Sequence, residues 1–290
     1  MRIPGFADLE PWDVVKQAVK SFFDDDMVTY AAALSYHLAL ALFPFIIFML
    51  TLLGALGLSE FFDRVLTQSQ AALPPDAYEL LARVISEIRG QSREGLLSFS
   101  ILFALWAAST GMRSVMNALN VAYDVEETRP AWKRYPLSIL YTIGLVAVVI
   151  AAAVFRLIGP WAAQRFANRL GWTTAVAEVW TWLRWPVVVL LLLLVVSLIY
   201  YLGPNITQPF RYLTPGSVCA VIVWIVASLL FSVYVENFGN YGATYGSLGG
   251  MVVLLLYFFV SAAVLLLGAE INAAIHPAHG PRSENVTPGQ

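Results

Sequence analysis

The sequence predicts an all-α fold: a polytopic membrane helix bundle of six transmembrane helices, with interfacial amphipathic helices in its connections. Three observations predict it. Of 290 residues 59% are hydrophobic and 12% charged, against about 25% charged in soluble domains, and mean hydropathy is +0.71. The charges leave six free runs of at least 18 residues, at 27–59, 95–112, 135–155, 185–210, 212–235 and 237–269. A charge at mid-bilayer costs roughly 2.5 to 3.5 kcal/mol and about 20 residues cross the hydrocarbon, so each run reads as one crossing. The breaks between runs carry turn residues, among them Pro130 and Gly203-Pro204-Asn205.

Taken in order, residues 1–23 predict an amphipathic helix. Pro11 stands at its start, and Trp12, Val15, Val19 and Phe22 recur at three and four, with Asp13, Lys16, Gln17 and Lys20 elsewhere. It is expected in the membrane interface, with packing beneath the bundle as the alternative. Met1 to Phe23 lacks the apolar core of a signal peptide, so the first membrane helix is expected to stay in the mature chain. The first crossing, about 30–55, follows three acids, Asp24, Asp25 and Asp26. After Pro74-Pro75, a stripe of Leu80, Leu81, Val84, Ile85 and Ile88 predicts a structured connection over 59–94. The second crossing, about 95–114, carries Ala104 and Ala108 at small-xxx-small spacing. The polar segment from Asn117 to Arg134 is long enough to continue that helix before a turn at Pro130.

The third crossing is about 135–157. Trp161, Trp172, Trp180, Trp182 and Trp185 then predict an interfacial belt. The fourth crossing, 186–202, stops at Gly203-Pro204-Asn205. Thr214 and Pro215 offer an N-cap and first turn for the fifth, 214–235. Residues 234–250 break the apolar pattern with glycines and asparagines, Ser247 caps the sixth crossing, 247–270, and 276–290 reads as a flexible tail. No internal repeat of the kind many transporters show is present. The loop at 236–247 has no Lys or Arg and the Arg113–Arg134 connection is dense in them, which predicts both termini on the cytoplasmic side.

The candidate site residues are the polar groups expected at membrane depth or its edge. Asp26, Tyr36, His37 and Pro44 mark the first helix; Asp26, His37 and Pro44 share one face and predict a polar track leading inward. The competing reading is a buried His and Asp satisfied by neighbours, with Pro44 a tolerated kink. Ser109, Thr110, Arg113, Asn117 and Asn120 form a second cluster, which would otherwise only solvate an emerging helix. Glu236, Asn237 and Asn240 form a third, a cavity wall if the segment dips into the bilayer. Glu270 is the fourth, with interfacial anchoring or pairing to Arg113 as its bland alternative.

Several function classes lack their residues. Net charge is −2, so no nucleic-acid partner is expected. The three histidines, His37, His276 and His279, do not build a two-metal nuclease site, and neither a P-loop nor a Gly-x-Ser-x-Gly elbow is present. The reading is therefore non-enzymatic, with no cofactor and no metal. The single cysteine, Cys219, reads as a small core residue.

The run from Asp26-Met27 through Ala32, Leu34, Tyr36 and Phe43-Pro44, with Ala118-Leu119-Asn120, Arg129-Pro130, Tyr201 and Pro204, and the ending Tyr245-Gly246 to Leu267-Gly268-Ala269-Glu270, resembles the YihY/BrkB family of bacterial inner-membrane proteins. The resemblance covers nearly the whole chain. It implies a six-helix inner-membrane protein; members have carried a ribonuclease label and a virulence-factor label. Ala41 stands where the family often has serine, and His37 where an aromatic or aliphatic residue is common. Two functions stay open. One is a transporter or flippase-like protein for an amphipathic or lipid substrate; the other is a structural or assembly protein of the envelope, with protein partners or a second copy of itself.

Overall fold

A computed structural model describes residues 11–55, 93–148, 173–206, 208–238 and 247–275, with four isolated helical positions between 66 and 86. Among the described residues there are seven helices and no strand: α1 (Pro11–Asp24), α2 (Met27–Ala55), α3 (Arg93–Ala122), α4 (131–148), α5 (Thr173–Leu202), α6 (Pro215–Phe238) and α7 (Ser247–Ile275). Stretches within α5 (Trp185–Leu202), α6 (Pro215–Val235) and α7 (Gly249–Ile275) are long and apolar enough to cross a membrane. Residues 59–92 of the predicted connection (those four positions apart), the tryptophans Trp161 and Trp172, and the tail 276–290 lie outside the described residues, and Arg93 and Glu94, expected in that connection, already belong to α3.

Helix α1 packs beneath the bundle, the alternative the sequence left open, and it is amphipathic. Val14 and Ala18 are fully buried against Ile271 and Ile275 of α7, and Phe22 joins the central core. The next arc round the helix, Trp12, Val15, Val19 and Phe23, is exposed and apolar; beyond it come Lys16 and Lys20, then Asp13, Gln17 and Asp24. The helix thus grades from bundle to apolar stripe to lysines to acids, with one exposed apolar face. The helix stops on Asp26, whose φ of 52° is left-handed and whose amide donates to the Phe23 carbonyl at 3.2 Å. Aspartate tolerates that conformation, so the elbow into α2 needs no glycine.

The core joins Met27, Ala31 and Leu34 of α2, Ala118, Leu119 and Ala122 of α3, Tyr200 of α5, and Ala262, Leu266 and Ala269 of α7. Helices α2 and α3 run antiparallel, and α7 packs against α1, α2, α3 and α6. Small residues make the closest of these contacts. A Cβ placed at Gly268 would collide with the Tyr200 hydroxyl and lie 2.7 Å from both the Ala220 Cβ and the Gly216 carbonyl oxygen. At Gly216 it would meet the Gly268 carbonyl and lie 2.6 Å from the Asn272 side chain. Farther along the same antiparallel pair, Trp224 Nε1 donates to Ser261 Oγ (3.0 Å), and Ser228 Oγ meets Tyr257 Oη (3.2 Å).

Two helices run longer than the predicted crossings. The second continues to Ala122, as the polar segment suggested, and ends in a Schellman turn: Asp124 is left-handed (φ 53°), Val125 N bonds the Asn120 carbonyl (2.9 Å) and Asp124 N the Val121 carbonyl (3.0 Å). Helix α5 starts at Thr173, not near Pro186, which lies inside it. Proline removes one backbone bond there, and the helix continues through it into the apolar run that follows. At the glycine-rich break, helix α6 reaches Phe238 and α7 begins at Ser247.

Replacing Gly268 or Gly216 by alanine forces α6 and α7 apart and is expected to lower stability by about 1–3 kcal/mol. Gly144→Ala, where a Cβ meets nothing within 4 Å, is expected to gain about 0.5–1 kcal/mol from helix propensity. Unfolding of the purified variants in one detergent checks both signs.

Candidate functional site

One end of the bundle gathers the C-termini of α3, α5 and α7 with the N-termini of α2, α4 and α6, because successive helices run in opposite directions. Here two connections are clasped. Asn120, 4% exposed, donates from Nδ2 to Glu127 Oε2 (2.9 Å) and accepts from the Asn205 backbone amide at Oδ1 (2.7 Å). Arg129 grips Glu127 with a two-pronged fork, Nε to Oε1 at 2.6 Å and Nη2 to Oε2 at 2.8 Å, and reaches the Gly203 carbonyl at 3.1 Å. Asn205 Nδ2 returns to the Glu126 carbonyl (3.0 Å) and Thr128 Oγ1 (2.8 Å).

On the α6 side, Thr214 and Ser217 cap each other reciprocally: Ser217 N donates to Thr214 Oγ1 (3.1 Å) and Thr214 N to Ser217 Oγ (3.0 Å). Asn272 completes this start, taking the Gly216 amide at 2.9 Å and donating to Thr214 Oγ1 at 3.0 Å. Tyr200 donates to the Leu265 carbonyl (2.6 Å) and Ser197 to the Tyr212 carbonyl (2.7 Å). These groups surround a basin of about 1380 Å³ with mixed polar and apolar walls, which include Asp124, Glu126, Arg129, Arg211 and Asn272 beside Leu137, Leu202 and Ile206.

A second cavity of about 330 Å³ lies deeper in the bundle and is almost wholly apolar, with Leu38, Ala108, Val146, Leu192, Val221 and Leu265 in its wall. The two abut along α4 and α5: Tyr141 and Tyr200 face the basin while the adjoining Thr142 and Ile199 face the apolar cavity.

The sequence candidates fall into separate places. Asp26 is exposed at the α1–α2 elbow, outside α2, so the inward track does not begin there. Tyr36 is 58% exposed, with its ring edge-on to His37 at 5.8 Å between centroids. His37 is half-buried and lines the apolar cavity. Its Nδ1 lies 2.8 Å from the Ala33 carbonyl and 3.3 Å from Ser114 Oγ; the carbonyl contact needs the proton on Nδ1. Pro44 is buried within α2. Ser109, Thr110 and Arg113 form one cluster, with Nη1 of Arg113 on Ser109 Oγ (3.2 Å) and on Ser138 Oγ of α4 (3.3 Å), and Nη2 on Thr110 Oγ1 (2.7 Å). Arg113 does not pair with Glu270. Asn117, exposed on α3, accepts from Arg134. Glu236 and Asn237 lie on the last turn of α6, at the end away from the basin, and Asn240 lies outside the described residues.

Glu270 is 2% exposed in the last turns of α7, close enough to Tyr123 for their charges to interact. Burial pushes the Tyr123 phenol up, its hydrogen bond to Asn272 opposes this, and Glu270 adds to the rise. Arg129, Asn205, Arg211, Thr214 and Asn272 line the basin, with Glu127 held beside it by Arg129, and the sequence reading did not single out any of them as a site. The usable signal was the concentration of Asn, Thr and Arg at helix ends that share one side of the bundle. Among the described residues no group of three His, Cys, Asp or Glu is placed to hold a metal.

The profile of the family described as virulence factor BrkB matches residues 18–288. The chain belongs to the BrkB family. Within its curated relatives it is 40% identical over 255 residues to the ribonuclease-like protein YfkH of Bacillus subtilis (strain 168), covering 88% of this chain and 92% of that protein. It is 29% identical over 263 residues to a UPF0761 membrane protein of Xanthomonas oryzae pv. oryzae (strain PXO99A), and 28% identical over 278 residues to one from Xanthomonas axonopodis pv. citri (strain 306). These alignments cover 88% and 93% of this chain, but only 59% and 63% of the Xanthomonas proteins. No solved structure matches the chain. With its apolar helices, this BrkB-family chain is a membrane protein.

Partial burial pushes the Glu127 carboxyl up, but the Arg129 side-chain and backbone hydrogen bonds, the Arg129 charge and the Asn120 amide outweigh it, so its pKa is lowered. A carboxylate with a depressed folded pKa stabilises fully above its unfolded value of about 4.3 and loses that contribution as pH falls through the folded value. Glu127→Gln is therefore expected to lower stability at pH 7 and to flatten the acid limb of the stability profile below about pH 4.3. Detergent-phase melting between neutral and acid pH measures it; parallel profiles would contradict the clasp.

Proposed function

We propose that this BrkB-family chain crosses the bacterial inner membrane six times, with both termini cytoplasmic, and moves an amphipathic or lipid substrate between the basin and the apolar cavity. One observation carries the reading: a larger cavity of mixed polar and apolar lining and a smaller, almost wholly apolar one share the walls formed by α4 and α5. An occupant with a polar head and an apolar tail matches that pair, while a polar metabolite leaves the deeper cavity unused. Helices α2, α3 and α4 are the remaining crossings, since α2 holds no Asp, Glu, Lys or Arg, and α3 and the connection after it return the chain to the basin end. A purely structural envelope role requires a solidly packed bundle, and the cavities weigh against it. The ribonuclease in the name of the Bacillus relative belongs to that protein, and the two-cavity arrangement gives no reason to extend it here.

The test is translocation of a fluorescent phospholipid in proteoliposomes holding the full chain. Wild type is expected to exceed protein-free vesicles, and filling the apolar cavity with Ala108→Phe to slow the transfer by about tenfold, equivalent to about 1.4 kcal/mol of barrier, with folding unchanged. Arg211→Gln at the basin is expected to slow it as well. Wild-type rates equal to those of empty vesicles would contradict transport.

A further inference from the structure

Arg113 is the only charged residue from Gly95 to Ala122, nine residues before the end of α3 and so about 14 Å below it. Its partners are all neutral: the hydroxyls of Ser109, Thr110 and Ser138, and the Tyr135 ring, whose centroid lies 4.4 Å from the guanidinium carbon. No carboxylate among the described residues lies within ion-pair distance of it. A guanidinium on a helix flank, held by hydroxyls and a ring, has its direction fixed, and among the described residues no carboxylate offsets its charge. One turn nearer the basin end, the antiparallel register of α3 and α4 sets Arg134 on Asn117, while Lys133 sits over the Trp132 ring at 5.0 Å. Glu127 engages Arg134 Nε at 3.8 Å but does not reach Arg113. The flank thus carries three cations, with exposed Trp132 and Tyr135 rings at the level expected for an interface.

We propose that the α3–α4 flank binds the phosphate of a membrane phospholipid, with Arg113 as the inner ligand and Lys133 and Arg134 as the outer ones. The chemistry fits: a guanidinium with Nε and one Nη2 proton still available offers a two-pronged donor to phosphate oxygens, and basic pockets between membrane helices take anionic headgroups. The hydroxyls of Ser109, Thr110 and Ser138 hold the guanidinium in place. This site is separate from both cavities; it rests on the reading that α3 and α4 cross the membrane, and not on transport.

The test uses the full-length chain in neutral-detergent micelles with phosphatidylglycerol bearing a photoreactive headgroup. Crosslinks are expected within residues 109–138. Arg113→Gln is expected to cut their yield by about tenfold, the size of one charge-assisted hydrogen bond, and Arg113→Lys, which keeps the charge and loses the fork, to give a yield clearly between those of wild type and Arg113→Gln. Equal loss in both variants would mark an arginine that serves only its hydroxyl bonds, and would overturn the site. On wild type alone, a photoreactive diacylglycerol without phosphate is expected not to crosslink there; equal labelling would overturn the proposal even if no variant folds. Excess inorganic phosphate is expected not to compete, and full competition would replace the lipid with a soluble anion. Crosslinks confined to 203–214, lost with Arg211→Gln, would put the lipid in the basin, overturning this site and leaving the transport reading standing.

Discussion

Helices α6 and α7 touch backbone to backbone at Gly216 and Gly268, and the polar end of the molecule is built on that approach. Two main chains this close leave no room for a side chain on either, so the pair is set in a single antiparallel register that also brings Trp224 to Ser261 and Ser228 to Tyr257. The same approach puts Asn272 against the first turn of α6 and the Tyr200 hydroxyl over Gly268. Widening the contact by one methyl would move Asn272 off the Gly216 amide and Tyr200 off the Leu265 carbonyl together.

At the ends of membrane helices, unmet backbone groups have to be answered by side chains wherever water is scarce. The chain does this economically at the basin. Asn120 closes a helix end with its own carbonyl, holds Glu127 with one end of its amide and the next connection with the other. Arg129 neutralises Glu127 and spends a remaining donor on the Gly203 carbonyl. The polar residues around the basin are therefore partly scaffold, and their mutual bonds fix its shape.

How much of this the sequence carried depends on whether the signal was local. The capped start at Thr214-Pro215, the stop at Gly203-Pro204-Asn205, the turn at Pro130 and the two-sided character of α1 are set by neighbouring residues, and these were legible. The long α5 was not, because Pro186 marks a plausible start as readily as an interior position. The basin was not legible as a site, since its groups come from two connections and four helices, and only tertiary packing says that Arg129, Asn205 and Asn272 share an end. The inward track from Asp26 failed for a different reason. Helical periodicity fixes an angle, but Asp26 precedes the helix and caps the turn, so the angle was counted from a residue that does not share it.

The central claim is that α1, the basin and the end of α7 share one side of the membrane, with the apolar cavity within it. Cysteine accessibility in sealed vesicles, on a Cys219→Ser background, reads this directly. Cysteines replacing Lys16, Gln208 and Ala274 are predicted to react with an impermeant thiol reagent from the same side only, and one replacing Ala108 to react only with a membrane-soluble reagent. Labelling of Gln208→Cys and Ala274→Cys from opposite sides, or of Ala108→Cys by the impermeant reagent, would contradict the account.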